Sequence, residues 1–282
     1  MSYKIIGDSC VDYTTYKDGL NWVTRVPLTI TLDGIEYVDD ETLDCDDLVT
    51  KMANSSDAPK SACPSPGQFL AAYEEGNADD IYVVTLSSPL SGTYASATMA
   101  KTMLEEKDSK KNVHVFDSRS AAAGEVAICV KIKVLLDEGL SFNEVVEQVE
   151  AFISSMNSIF TLETLETLRK NGRLTKLQSV ITERLNLKMV MAATSEGEIE
   201  ALAKALTMSA AIKKMIEIIK ERGQKSGFED RVLYITQCQA LERAEMIKKK
   251  VLESCPFKDV VICEARGIST VYANSGGIIL AF

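Results

Sequence analysis

A hydroxyl-rich segment, Thr85–Tyr94, carries the residues whose types and spacing suggest chemistry. It reads Thr-Leu-Ser-Ser-Pro-Leu-Ser-Gly-Thr-Tyr and follows the apolar run Ile81–Val84. Residues 95–104 have helical composition, so the segment is predicted to join a strand to a helix. Such a turn offers serine hydroxyls, free backbone N–H groups and the positive end of a helix dipole, which together receive an anion. A hydroxyl cap that only begins the helix is the simpler interpretation.

The sequence offers no evident base that would activate these hydroxyls. The single histidine, His114, lies between valines in a predicted strand, where a structural histidine is the simpler interpretation. No phosphate-binding P-loop, no G-x-G-x-x-G or G-x-S-x-G segment and no H-E-x-x-H zinc motif occurs. Hydroxyls without a base bind anions and do not attack carbonyls. We therefore predict a binding protein with no catalytic residue, no metal site and no cofactor.

The amino-acid composition indicates which kinds of binding partner are favourable for this protein. The 282 residues are 46% hydrophobic and 26% charged, with a formal net charge of −10, which disfavours nucleic acid because phosphate binding needs a basic face. A local basic patch could still make transient contact with a membrane. The start of the chain leads directly into a predicted strand, and the seven cysteines form no C-x-x-C pair. These features predict reduced thiols and a cytoplasmic location.

The order of predicted strands and helices indicates an α/β fold with two domains. In the first half, strands alternate with helices and end in polar pairs, Asp8-Ser9, Ser87-Ser88 and Asp117-Ser118, which is typical of a parallel sheet that binds ligands at the carboxyl ends of its strands. In the second half, a hairpin signal at residues 194–197 predicts antiparallel pairing. We predict a parallel α/β domain at 1–157 and a mixed α/β domain at 158–282.

Two arginines near residue 170 have two open interpretations. Arg169 and Arg173 flank the Asn171-Gly172 pair that is predicted to end a helix. Positive charges at a helix C-terminus are favourable by themselves. The functional interpretation is a contact with a phosphate group or an acidic partner.

The sequence contains several short segments which, taken together and in their order along the chain, resemble those of the DegV family of bacterial fatty acid-binding proteins. The S-S-x-L-S-G-T part of Thr85–Tyr94 is the most specific of them. The resemblance extends from the first strand to the last residue. The segments that carry it, together with the glycine-rich C-terminus, are Ile6–Ser9, Lys60–Ser65, Thr85–Tyr94, Val115–Ser118 and Thr164–Arg173.

The resemblance implies a function and a set of contacts. It implies one long-chain fatty acid in a tunnel between two α/β domains, presented to a separate ATP-dependent fatty acid kinase that forms acyl-phosphate. By the same resemblance, Ser61, Ser87 and Ser88 would bind the carboxylate. A histidine of the family's C-terminal segment is absent here. The aligned run is Tyr272–Gly276, in which Tyr272, Asn274 and Ser275 are the candidate replacements.

Two other functions stay open at this point. One is an enzyme acting on a small phosphorylated or carboxylated metabolite, which the polar strand ends and the two arginines suggest. The other is a regulatory protein that senses a lipid and binds a partner through its acidic surface.

Overall fold

A computed structural model describes residues 2–14, 19–76, 78–107, 110–174, 187–228 and 230–282. The strands are β1 (Tyr3–Asp8), β2 (Val23–Val26), β3 (Thr29–Leu32), β4 (Ile35–Val38), β5 (Lys60–Ala62), β6 (Asp80–Thr85), β7 (Asn112–Asp117), β8 (Ser158–Thr161), β9 (Lys188–Ala193), β10 (Ile199–Ala205), β11 (Val232–Gln237), β12 (Asp259–Glu264) and β13 (Ile278–Ala281). The helices are α1 (Cys45–Asn54), α2 (Pro66–Glu74), α3 (Thr93–Lys107), α4 (Ala123–Asp137), α5 (Phe142–Ser155), α6 (Glu166–Lys170), α7 (Met208–Ser226), α8 (Leu241–Ser254) and α9 (Gly267–Ala273).

The first sheet is the parallel sheet predicted from the alternating pattern. Its strands lie in the order β2-β1-β6-β7, and every pair is parallel. The carboxyl ends of β1, β6 and β7 therefore meet at one edge. Hydrogen bonds fix this edge: the Leu86 N–H donates to Asp8 Oδ2 at 2.7 Å, and the Ser118 N–H donates to the Thr85 carbonyl at 3.1 Å. The hydroxyl-rich segment begins there and opens helix α3, as predicted.

A second, smaller sheet has the order β4-β3-β5 and is antiparallel. The sequence over Val23–Val38 is rich in Val, Ile and Thr and is broken by Pro27 and Asp33-Gly34, a pattern that predicts two strands joined by a turn. The structure has three, because Pro27 lacks an N–H and follows the last residue of β2. The chain then enters a different sheet, where Ile30 of β3 is paired with Ser61 of β5. This register holds Ser61 in place.

The third sheet has six strands in the order β10-β9-β8-β13-β11-β12. Its pairs are antiparallel except β11 with β12, which gives the mixed sheet predicted for the second half. All of its strands lie between residues 158 and 281, whereas the parallel sheet lies between residues 3 and 117. That division supports a domain boundary between residues 157 and 158, which stays a proposal.

Helix α4 packs between the parallel sheet and the six-stranded sheet. It contacts β1 and β6 on one side and β11 and β13 on the other. Its residues Val126, Ile128 and Cys129 are fully buried, as expected for a helix that is apolar on most of its surface. Within the described ranges, we find no helix with the length and apolar character needed to cross a membrane.

Candidate functional site

A hydrogen bond between two residues 211 positions apart marks the polar part of the site. The Ser61 and Tyr272 hydroxyl oxygens lie 2.7 Å apart, which joins β5 to α9. Both residues line one cavity. Since a single bond between two hydroxyls uses one proton, the other hydroxyl keeps its proton free to donate to a ligand.

The cavity lies between the carboxyl edge of the parallel sheet and the face of the six-stranded sheet. It contains about 880 Å³ not occupied by protein atoms, part of it open to solvent. Most of its wall is aliphatic or aromatic, with Leu28, Leu86, Phe160, Leu162 and Ile279 among its residues. A cavity with this lining is typical of a site for an apolar ligand with a few polar contacts.

Arg173 brings a positive charge to the same polar cluster. It lines the cavity, and its guanidinium carbon lies 5.7 Å from the centroid of the Tyr272 ring. The side chain is half-buried and held in place because Nε donates to the Leu90 carbonyl at 3.2 Å and Nη1 donates to the Asn171 carbonyl at 2.6 Å. A guanidinium fixed beside two hydroxyls is suited to bind a carboxylate or a phosphate.

Ser91 completes this group, which we call the proximal cluster: Ser61, Ser91, Arg173 and Tyr272. Ser91 lines the cavity two residues before helix α3 begins at Thr93, and the two hydroxyl oxygens lie 2.7 Å apart. The cluster thus combines hydroxyls, a guanidinium and the positive end of a 15-residue helix.

The other sequence-predicted residues do not line this cavity. Ser87 is fully buried and donates to the Gly197 carbonyl at 2.8 Å. Ser88 is exposed, and its N–H donates to Asp117. Asn274 donates to the Thr167 hydroxyl at 3.3 Å, and Ser275 is exposed. Their assignment to the carboxylate stays a prediction.

Arg169 differs from Arg173 in its surroundings. Its side chain is 49% exposed and lies 3.9 Å from Glu166, one helical turn earlier. Among the residues that the structure describes, none connects Arg169 to the cavity, so a contact with a phosphate group or an acidic partner also stays a prediction. His114 lies 2.9 Å from Glu150 and likewise does not line the cavity.

One group of potential metal ligands occurs among the described residues: Asp8, Cys10 and Glu125, whose ligand atoms lie within 4.8 Å of one another. All three are buried. Burial raises the pKa of the Cys10 thiol and of the Glu125 carboxyl well above their ordinary values, and the negative charge of Asp8 adds to this. The protonated forms of the Cys10 thiol and the Glu125 carboxyl are therefore favoured.

Comparison with known proteins identifies the family. A family model described as an uncharacterised protein of the DegV family matches residues 2–282. The DegV domain-containing protein SpyM3_1478 of Streptococcus pyogenes is 37% identical over 285 residues, which cover 100% of this chain and 99% of that protein. This chain belongs to the DegV family.

Solved structures of DegV proteins share the whole fold. A DegV family protein from Ruminococcus gnavus, refined with vaccenic acid, is 39% identical and has a TM-score of 0.94 over 100% of both chains. The Streptococcus pneumoniae fatty acid kinase (Fak) B3 protein, loaded with linoleic acid, is 33% identical, with a TM-score of 0.90 over 100% of this chain and 99% of that one. A DegV family protein from Eubacterium eligens, loaded with heptadecanoic acid, is 28% identical, with a TM-score of 0.88 over 99% of each chain.

Proposed function

We propose that this protein binds one long-chain fatty acid, with the carboxylate on the proximal cluster and the tail along the apolar wall of the cavity. The observation that carries the proposal is the junction of that wall with Ser61, Arg173 and Tyr272 in one cavity. The fatty acids bound by the three DegV neighbours support it.

The energetics fit a fatty acid. Burying about 16 carbons contributes on the order of 10 kcal/mol before the costs of ordering the chain and desolvating the carboxylate. A carboxylate in such a place needs several hydrogen-bond donors to stay ionised. The proximal cluster supplies hydroxyl donors and a guanidinium without requiring a fully buried counter-ion. Tyr272, at the place where the resemblance expects a histidine, supplies one of these hydroxyls.

We further propose that the protein acts as a cytoplasmic carrier without catalytic activity of its own. It would present the acid to a fatty acid kinase and touch the membrane transiently to take up its ligand. The kinase name of the Streptococcus pneumoniae neighbour supports the first part. Incubating the acid-loaded protein with a cognate kinase and ATP tests it, since acyl-phosphate should form only when both proteins are present. Binding without turnover would instead favour the regulatory alternative.

Extraction of the purified protein with organic solvent tests the binding itself. Mass spectrometry of the extract should show about one acyl chain per protein molecule. Failure to find a lipid, combined with no affinity for added oleate or palmitate, would contradict the proposal. An enzyme for a small metabolite would need a short, hydrated pocket, and the aliphatic wall around Phe160 and Leu162 argues against that.

Ser91→Ala is expected to weaken fatty acid binding by roughly 1–3 kcal/mol, because a hydrogen bond to a charged group is lost. Ser88→Ala is the matched control in the same segment, since the Ser88 side chain is exposed and its bond to Asp117 is made by the backbone. Displacement of a fluorescent fatty acid measures both affinities. A loss with Ser88→Ala and none with Ser91→Ala would instead support the assignment made from the sequence.

A further inference from the structure

A second polar group lines the same cavity. The hydroxyl oxygens of Ser120 and Ser158 lie 2.6 Å apart, and the two residues are only 4% and 8% exposed. Arg119, next to Ser120, also lines the cavity. We call these three residues the distal cluster.

Strand β8 shows how the distal cluster is placed. Ser158, Phe160 and Leu162 occupy every second position and all line the cavity, so the cavity runs along one face of this strand. The distance from Ser158 to Leu162 along the chain is about 13 Å at roughly 3.3 Å per residue. The β8–β13 register pairs Thr161 with Ile278 and Ser158 with Ala281, so the Leu162 end of β8 lies beside the turn that joins α9, the helix of Tyr272, to β13. The proximal cluster therefore lies toward Leu162 and the distal cluster lies toward Ser158, with Phe160 between them.

A polar pocket adjoins the cavity at its Ser158 end. It shares Arg119, Ser158 and Ala193 with the cavity, and its other walls include Thr194 and Ser195. Ala193 is paired with Ile199 across the β9–β10 hairpin, and both line the cavity. The distal cluster thus lies between an apolar cavity and a polar one, where a purely hydrocarbon tail would end against hydroxyl groups.

The distal cluster has hydrogen-bonding capacity that the protein leaves unused. Either hydroxyl can donate the bond between Ser120 and Ser158. When Ser158 donates it, Ser120 Oγ can itself donate only a long bond to the Ala121 carbonyl, at 3.4 Å. The lone pairs of Ser158 Oγ then remain open to a donor in the cavity. Across the ranges that the structure describes, we find no ion pair or hydrogen bond made by the Arg119 guanidinium, although the side chain is only partly exposed.

We propose that the distal cluster binds an oxygen function at the far end of the acyl chain, so that the protein accepts long-chain acids with a terminal hydroxyl or carboxyl group. This inference rests on the proposed function. A terminal hydroxyl donates to Ser158 Oγ, and a terminal carboxylate pairs with the Arg119 guanidinium. An apolar cavity without such partners would reject both groups, because each would be desolvated without compensation.

Titration of delipidated protein with matched acids tests the inference. The ligands are the unsubstituted acids of 14, 16 and 18 carbons, their ω-hydroxy derivatives and their α,ω-diacids. For at least one length, we expect the ω-hydroxy acid to bind within threefold of its parent or tighter. Discrimination of more than tenfold against the ω-hydroxy acid at every length would overturn the inference and leave the proposed function intact. If no unsubstituted acid bound, the proposed function would be rejected together with this inference.

Variants separate the roles within the distal cluster. Ser158→Ala should weaken the ω-hydroxy acid at least fivefold while leaving its unsubstituted parent within twofold. Arg119→Met should weaken the diacid at least tenfold and the ω-hydroxy acid much less. Ser254→Ala, at the exposed end of α8, is the matched control and should change neither, because Ser254 lines neither cavity and its hydroxyl donates to the Lys250 carbonyl. Equal effects of Ser158→Ala on both ligands would contradict the inference, and binding of the unsubstituted acid verifies that each variant is folded.

Discussion

Arg173→Met is expected to weaken long-chain fatty acid binding by about 2–5 kcal/mol, or from about thirtyfold to several thousandfold, the cost of truncating one partner of a desolvated charge pair. The guanidinium is the charged member of the proximal cluster and is held by two backbone carbonyls beside the Tyr272 ring. Without it, the ligand carboxylate would rely on hydroxyls and the helix dipole alone. We expect a rise in the apparent pKa of the bound acid as well, because a nearby cation favours the ionised form.

The measurement is direct titration with palmitate or oleate at constant ionic strength, with a thermal melt of each variant. Arg169→Met is the matched control, four residues earlier and exposed, and should leave affinity within about twofold. Arg173→Lys should lie between wild type and Arg173→Met, because lysine keeps the charge but loses the planar fork of donors. Equal affinities of Arg169→Met and Arg173→Met would remove Arg173 from the site.

The sequence alone could not predict which of these two arginines lies in the site. Both flank a helix end, and their spacing gave no reason to prefer one. The structure separates them because Arg173 follows the turn at Gly172, whose φ of +76° reverses the chain toward Leu90. That contact joins residues 83 positions apart, and no local pattern encodes it.

The sequence alone also could not predict which serines line the cavity. The hydroxyl-rich segment was correctly predicted to join a strand to a helix, but the side that each hydroxyl faces depends on the turn. Ser91 lines the cavity, whereas Ser87 is directed to Gly197 of the β9–β10 turn. Ser120 and Ser158 were missed as site residues. The sequence did contain a sign of this, since Ser158, Phe160 and Leu162 occupy every second position and so share one face of a strand. Whether that face lines a cavity depends on what packs against β8, which the pattern does not show.

The fold itself was largely predictable, because parallel sheets follow from local alternation. Strands that end in Asp8, Thr85 and Asp117, each before a polar turn, define the first sheet, and a helix follows the last two of them. Capping boxes at Ser65 and Ser141, which are local signals, likewise begin α2 and α5. The separate β4-β3-β5 sheet was not predicted, since its pairing with β5 is long-range.

Buried carboxyl groups beneath the cavity make stability depend on pH. Desolvation by burial raises the pKa of Asp12 from 3.8 to about 7 and that of Asp8 from 3.8 to about 6, although hydrogen bonds oppose both shifts. The neighbouring Asp39 adds repulsion to each and has a raised pKa itself, again mainly through burial. Because the folded state holds these protons more tightly than the unfolded state, unfolding releases protons, and stability falls as pH rises.

We expect the free energy of unfolding to decrease as pH rises from about 4 to about 7. The change of the Asp12 pKa from 3.8 to about 7 alone corresponds to on the order of 4 kcal/mol over this interval. Urea denaturation at constant ionic strength, at pH 5, 6, 7 and 8, measures the trend. A rise in stability over this range would contradict burial as the dominant cause.

Asp12→Asn should flatten this dependence and make the protein at least as stable as wild type at pH 8. The asparagine can keep two of the contacts of the carboxyl group, because its oxygen can accept the Arg266 backbone N–H and its amide can donate to the Thr236 hydroxyl oxygen. Asp40→Asn is the control: Asp40 is only partly buried, and hydrogen bonds from Thr42 lower its pKa. That variant should keep the full wild-type slope above pH 5. If Asp12→Asn and Asp40→Asn had the same slope, the pH dependence would arise from other groups.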